Sequence, residues 1–321
     1  MKMAATVDND RRRARANLPI IDTHQHFWDF GHGRYPWLED ATPIPFRYGD
    51  YSALKRSYLP PDYRRDSSGF DIVQTVHIEA EWERSRSVDE TIWIEGIAAQ
   101  FGIPSACVAH VALARPGTDE VLAQQAARTL VRGIREKPAA AARPEEARRG
   151  MPGSMDDQAW RRGYAKLSQY SLSFDLQTPW WHLDAAADLA RDFPDTTIIV
   201  NHTALPADRS AEGLAGWRGY LERAAGEPNI ALKISGLGRP GLPWTVESNA
   251  PVIRDAIAIF GADRCMFASN FPVDGLVATF ETVTNGFLAA IEQRSFDEQR
   301  LLTYGNAIKI YRLTPTEEHN V

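Results

Sequence analysis

A chain of 321 residues, 44% hydrophobic and 24% charged, has the make-up of a globular protein, and a single α/β barrel accommodates that length. No apolar run approaches the roughly 20 residues that cross a bilayer. A net charge of −6 with only short basic runs (Arg11 to Arg15, then Arg148 and Arg149) leaves no footprint for nucleic acid, so the expected partner is a small molecule.

Residues 1–17 are polar and Arg-rich and lack the apolar core of a secretory signal; they read as a disordered basic tail. A single catalytic domain is expected over 18–314, with a C-terminal tail over 315–321. Eight short apolar or β-branched runs follow, at 19–21 leading into His24 and His26, then 72–79, 106–113, 130–135, 171–177, 196–202, 229–235 and 265–270. Helices are expected between and after them at 88–101, 119–129, 156–169, 182–192, 211–225, 249–260, 275–292 and 297–311, several closed by Gly or Pro past the last apolar position. This alternation predicts an α/β chain folded as a (β/α)8 TIM barrel. The other possibility is an open doubly wound sheet, but no Gly-x-Gly-x-x-Gly follows the first run, so a dinucleotide site has no support.

Cys107 and Cys265 each fall in a buried strand, which excludes a disulfide framework and suits the cytoplasm. Two connections are long. The one after strand one, 27–68, is rich in Tyr, Trp and Pro and is expected to cap the catalytic face, with Trp37 offering apolar or stacking contact. The one after strand four, 137–153, reads either as a mobile lid or as a solvated insertion.

Catalytic groups of such barrels come from the C-terminal ends of several strands. Strand one supplies His24 and His26, whose spacing of two puts both imidazoles on one face. Strand two supplies His77 and Glu79 by the same alternation, and strand three His110. Strand four offers Arg132 and Arg135, strand five Ser173, Asp175 and Gln177, and strand six Asn201 and His202. Strand seven carries Lys233 and Ser235, and strand eight ends in Ser269 and Asn270 with Asp274 just beyond. Structural roles are open for several: Glu79 could pair with Arg135, His110 could be a satisfied core histidine, and Lys233 could face the helices. So many ionisable groups at one end of a barrel are costly to bury unless they serve a site.

The segments Ile21-Asp22-Thr-His24-Gln-His26-Phe-Trp, Val76-His77-Ile-Glu79, Val131-Arg132-Gly-Ile-Arg135, Ile199-Val-Asn-His202 and Met266-Phe-Ala-Ser-Asn270-Phe-Pro occur in the order seen in the amidohydrolase superfamily. The chain resembles its amidohydrolase-related branch, which includes lactonases of sugar acids and of pyrone dicarboxylates, with decarboxylases more distant. The resemblance implies that His24 and His26 either ligate a divalent metal, Zn or Mn, or bind substrate directly without one. It also places His202 beside the substrate carbonyl. The family's strand-eight aspartate, the general base for water, is replaced here by Asn270, which cannot accept a proton. Asp274 is then the nearest carboxylate for that role, with Glu79 and Asp175 behind it. The third metal ligand is open among Glu79, Asp175, His202 and Asp274.

The expected function is hydrolysis of a small, anionic lactone. His24, His26, His202, Asn270 and Asp274 would be catalytic, and His77, Glu79, Arg135, Asp175, Ser235 and Trp37 would bind substrate. Metal-assisted decarboxylation or C–C hydrolysis of a carboxylated ring is the alternative within catalysis, and ligand binding without turnover the alternative outside it. A homo-oligomer is open, with no interface marked in the sequence.

Overall fold

The structure is a computed structural model that describes residues 18–316. The tail expected over 1–17 lies outside the described residues, as does 317–321, the end of the expected C-terminal tail.

Eight parallel strands follow one another in chain order around one sheet: β1 (Ile20–Gln25), β2 (Ile72–Ile78), β3 (Ala106–His110), β4 (Val131–Arg135), β5 (Ser173–Leu176), β6 (Ile198–Val200), β7 (Ile230–Ile234) and β8 (Cys265–Phe267). The sheet is drawn closed past its ends. The Asn270 amide donates to the His24 carbonyl (2.7 Å) and the His26 amide to the Phe271 carbonyl (2.8 Å), joining the end of β1 to the segment after β8. Asp22 adds a side-chain clasp, accepting from the Ser269 amide (2.8 Å) and hydroxyl (2.5 Å). The chain is therefore the (β/α)8 barrel that its alternation predicts.

Strand phase follows from which residues fill the barrel. Val76, Ile78, Val108, Ile199, Ala231 and Met266 pack together as an inner cluster with Tyr311, while Cys107, Ile134, Phe174, Ile198 and Leu232 belong to the larger apolar layer shared with the helices. Both faces of the strands are thus buried, as helix-covered parallel strands require.

Helices α1 (Pro60–Asp66), α2 (Ser87–Phe101), α3 (Thr118–Ala126), α4 (Gln158–Tyr164), α5 (Leu183–Asp192), α6 (Ala211–Ala225), α7 (Val246–Phe260) and α8 (Phe280–Ile291) lie between and after the strands. Where they depart from expectation, side-chain caps explain the boundary. Thr245 accepts from the Ser248 amide and starts α7 before residue 249, and Thr279 accepts from the Thr282 amide and starts α8 well after residue 275. The helix expected over 156–169 stops at Tyr164 and continues as a 3-10 turn, Leu167–Tyr170. The one expected over 297–311 is divided into α9 (Phe296–Arg300) and α10 (Asn306–Tyr311) by a π turn, Leu301–Gly305. Among the described residues no helix is long and apolar enough to cross a membrane, and Cys107 and Cys265 are both free and buried.

The long connection after β1 is an aromatic pack. Trp28 exchanges backbone hydrogen bonds with Tyr58, and Trp37 stacks on Phe46 with centroids 5.8 Å apart and planes 9° from parallel. The Trp37 indole donates to the Ala80 carbonyl (2.9 Å), which fixes this cap over the end of β2. The 137–153 segment is also tethered, since the Ala141 amide donates to the His182 ring (2.9 Å) and the Trp181 indole to the Ala141 carbonyl (3.1 Å).

Candidate active site

A cavity of about 270 Å³ opens at the C-terminal ends of the strands. His26, His202 and Asn270 lie on its wall with Trp37, Phe46 and Arg135. Behind His26 and His202 sits His24, with ring centroids 5.0 Å from His26 and 4.5 Å from His202. Three imidazoles from β1 and the end of β6 thus converge at one place, and all three are buried.

Hydrogen bonds assign their tautomers. His26 Nδ1 lies 2.7 Å from the Ile78 carbonyl, which can only accept, so Nδ1 carries the hydrogen and Nε2 keeps a lone pair. His24 Nδ1 lies 3.5 Å from the Lys233 ammonium, which can only donate, so the hydrogen of His24 is on Nε2. That Nε2 is buried and has no hydrogen-bond partner among the described residues. His202 Nδ1 meets the Ser235 hydroxyl at 2.9 Å, a group that can give or take. Burial holds all three rings well below the usual histidine range, with the neighbouring charges of Lys233, Arg135 and Arg47 adding to the effect. They are neutral at pH 7.

His202 reaches the cavity through an unusual turn. Residues His202, Thr203, Ala204 and Leu205 all have φ between +55° and +57°, a left-handed stretch with no glycine in it. The Thr203 hydroxyl lies 3.1 Å from the Ser235 carbonyl and 3.3 Å from the Ser235 amide, and the Trp217 indole donates to the Thr203 carbonyl (2.9 Å). Gly236 completes this corner: with φ +64°, a Cβ there would stand 2.6 Å from the His202 Cβ.

The charged groups are paired in buried sets. Lys233 donates to Asp175 (2.5 Å), and Asp175 also accepts from the Tyr311 hydroxyl (3.1 Å). Burial pushes Lys233 down to about 8 against the pull of Asp175. Lys233 on β7 and Ser235 just past its end both point inward, toward His24 and His202, which resolves the alternative that Lys233 faces the helices. Asp175 sits beneath the cavity and not on its wall. Glu79 binds Arg135 Nε (2.8 Å) and Arg84 (2.6 Å), and these cations hold its carboxyl well below the usual range despite burial. Asp274 lies behind Asn270: its Oδ1 accepts from Asn270 Nδ2 (2.6 Å) and the Tyr48 hydroxyl (2.9 Å).

His77, also expected to bind substrate, lies elsewhere. His77 does not reach the cavity, because Val76 and Ile78 occupy the barrel interior and turn it toward the helix layer. There it accepts from the Phe27 amide (3.2 Å) and faces Glu90 of α2 at 3.5 Å. Arg132, at the other end of β4 from Arg135, donates to the Thr129 and Val131 carbonyls. Arg47 and Lys137, both on the cavity wall, come from the long connections and were not singled out by strand-end position.

A resident divalent metal would need about three protein ligands. Among the described residues no three His, Cys, Asp or Glu side chains are placed to hold one. Each carboxylate that could complete the set is engaged: Glu79 by arginines, Asp175 by Lys233, Asp274 by Asn270 and Tyr48. The cations Lys233, Arg135 and Arg47 also surround the imidazoles. The donors present therefore do not fit a three-ligand metal, and no catalytic step is assigned to one.

The chain is similar to several known proteins. A Sinorhizobium fredii protein named y4mH is 36% identical over 298 residues, covering 93% of this chain and all of its own length. An L-fucono-1,5-lactonase of Burkholderia multivorans is 28% identical, with 91% of this chain and 96% of that one aligned. Among solved structures, a zinc-bound amidohydrolase from Burkholderia multivorans superposes with a TM-score of 0.76 at 24% identity, over 92% of this chain and 99% of that one. The amidohydrolase family pattern matches residues 21–313, nearly the whole described chain, and this protein therefore belongs to the amidohydrolase family.

Proposed function

We propose that the protein hydrolyses the ester bond of a small lactone, opening the ring to a hydroxy acid. The observation that carries this reading is the convergence of three buried imidazoles, two of them on the cavity wall. The lactonase named among the relatives supports the same reaction class.

The residues divide the chemistry as follows. The Asn270 amide donates to Asp274 and so presents its oxygen to the cavity, where it accepts a hydrogen bond from the attacking water. His26 Nε2 takes the second proton of that water as its oxygen bonds to the lactone carbonyl carbon. The oxyanion that forms is met by His202 from the cavity wall, whose Nδ1 accepts from Ser235 so that Nε2 carries the hydrogen it gives, with His24 and the Lys233 charge behind; donors fixed in a dry pocket are worth most at such a charge. When the tetrahedral species collapses, the ring C–O bond breaks and the leaving oxygen takes the proton back from His26. His24, behind His26 and His202, packs against His202 and keeps its ring in place.

The test is acid release at constant pH from a panel of sugar-acid and pyrone lactones. Turnover of at least one is expected, and His26→Asn should lower kcat by about 10³-fold, the range of a lost general base. Absence of turnover across the panel, or full activity in the variant, rejects the assignment; carbon dioxide in place of a ring-opened acid would point to decarboxylation.

A further inference from the structure

The connection after β1 carries a guanidinium to the cavity that the steps above leave without a task. Arg47 donates through Nη2 to Asp274 (3.2 Å) and to the Tyr48 hydroxyl, and Tyr48 donates to the same carboxylate oxygen. Asp274 is buried, whereas Arg47 keeps about a quarter of its side chain exposed at the cavity wall. Among the described residues its Nε and Nη1 hydrogens have no hydrogen-bond partner. The other cations on the wall are more fully committed. Arg135 uses Nε and Nη2 on Glu79 and Nη1 on Gln177, and Lys137 is paired with Glu81.

Arg47 is also held at the right place. Phe46, next to it, stacks on Trp37, and both rings line the cavity beside the guanidinium. Gly236 leaves the room: a Cβ there would come within 2.8 Å of Arg47 Nη2. We propose that Arg47 is the anion anchor of the cavity, its Nε and Nη1 hydrogens binding a carboxylate carried by the substrate ring, with Asp274 as the positioning residue that aims it. A carboxylate bound by several guanidinium hydrogens is a charge-assisted contact, among the strongest available to a neutral-pH site. The choice of a carboxylated lactone as substrate rests on the function proposed above; the anchor itself does not.

The experiment compares wild type with Arg47→Gln and Arg47→Lys on 2-pyrone-5-carboxylate and on its methyl ester, following loss of the pyrone absorbance. For Arg47→Gln, kcat/KM on the carboxylate should fall about 30-fold, mainly through KM, while the ester changes by less than about threefold. Arg47→Lys, which keeps the charge next to Asp274, should lie between and serves if the glutamine variant fails to fold. Equal losses on both compounds, or none, overturn the proposal. In parallel, isophthalate, which has no lactone to open, is titrated against tryptophan fluorescence. Binding by wild type that weakens about 30-fold in Arg47→Gln supports the anchor even where no lactone is turned over, in which case only the hydrolytic function fails. No binding by wild type, or equal binding by both, overturns the anchor.

Discussion

Asn270 on the cavity wall and Asp274 behind it are both buried, with Nδ2 and Oδ1 only 2.6 Å apart. Burial pushes the Asp274 carboxyl up, while Arg47, Asn270 and Tyr48 pull it down. An aspartate at 270, which the family resemblance leads one to expect, would put a second carboxylate at hydrogen-bond distance from the first. Two such groups cannot both ionise without a large penalty. The amide avoids this and donates instead. Its φ of +57° is one that Asn and Asp both tolerate, so Asn270→Asp tests charge with little change of backbone. The variant should be less stable than wild type by about 2 kcal/mol at pH 8. The gap should close toward pH 5, because the folded pair takes up a shared proton that the unfolded chain, with ordinary aspartates, does not yet hold. Urea unfolding at the two pH values decides it: an equally stable variant at pH 8 would mean that the pair is not strained by charge.

At the scale of elements, the turn that leaves β6 is what aims His202. Four consecutive non-glycine residues in the left-handed region are each unfavourable by about 1 kcal/mol, and they persist because surrounding contacts over-determine them. The Thr203 hydroxyl is the most direct of these contacts, tying the turn to the Ser235 peptide. Thr203→Val keeps the side-chain shape and removes the tie. Its kcat should fall about tenfold while far-UV circular dichroism stays native, since a loosened turn displaces His202 from His24 without unfolding a strand. Unchanged kcat would show that packing alone, through Trp217, aims the turn. None of this turn was legible in the sequence, because His-Thr-Ala-Leu carries no glycine or turn signature. The barrel was legible, since eight buried strands alternating with helices leave a periodic trace, and so were His24, His26 and His202, which strand ends mark. For His77 alternation tells only which residues share a face, and the packing of Val76 and Ile78 decides that its face is the outer one. Arg47 leaves no trace of its role, because its approach to Asp274 spans 227 positions through a connection with no period.

The molecule as a whole buries more histidine than carboxylate chemistry alone would need, and that sets its response to acid. His24, His26, His110 and His202 are all held below the usual range, chiefly by burial, so the folded protein keeps them neutral while the unfolded chain protonates them near pH 6.5. As pH falls below that value the unfolded state binds more protons, and stability declines. Asp22 and Asp274, whose carboxyls are raised by burial, act in the opposite sense and offset part of the loss. His110 isolates one proton of the balance. Burial and the charges of Arg84 and Arg135 lower it to about 4 against Glu79, and its Nδ1 donates to the Arg135 carbonyl (3.1 Å). Between pH 6 and 4.5 it is neutral when folded and mostly charged when unfolded. Wild type should therefore lose stability more steeply across this window than His110→Gln, by a slope of about 1.4 kcal/mol per pH unit, the value for one proton. Denaturant unfolding at four pH values in the window measures both slopes. Parallel lines would mean that His110 is already protonated in the fold, and with it the charge assigned to the Glu79 and Arg135 pair at the cavity wall would have to be redrawn.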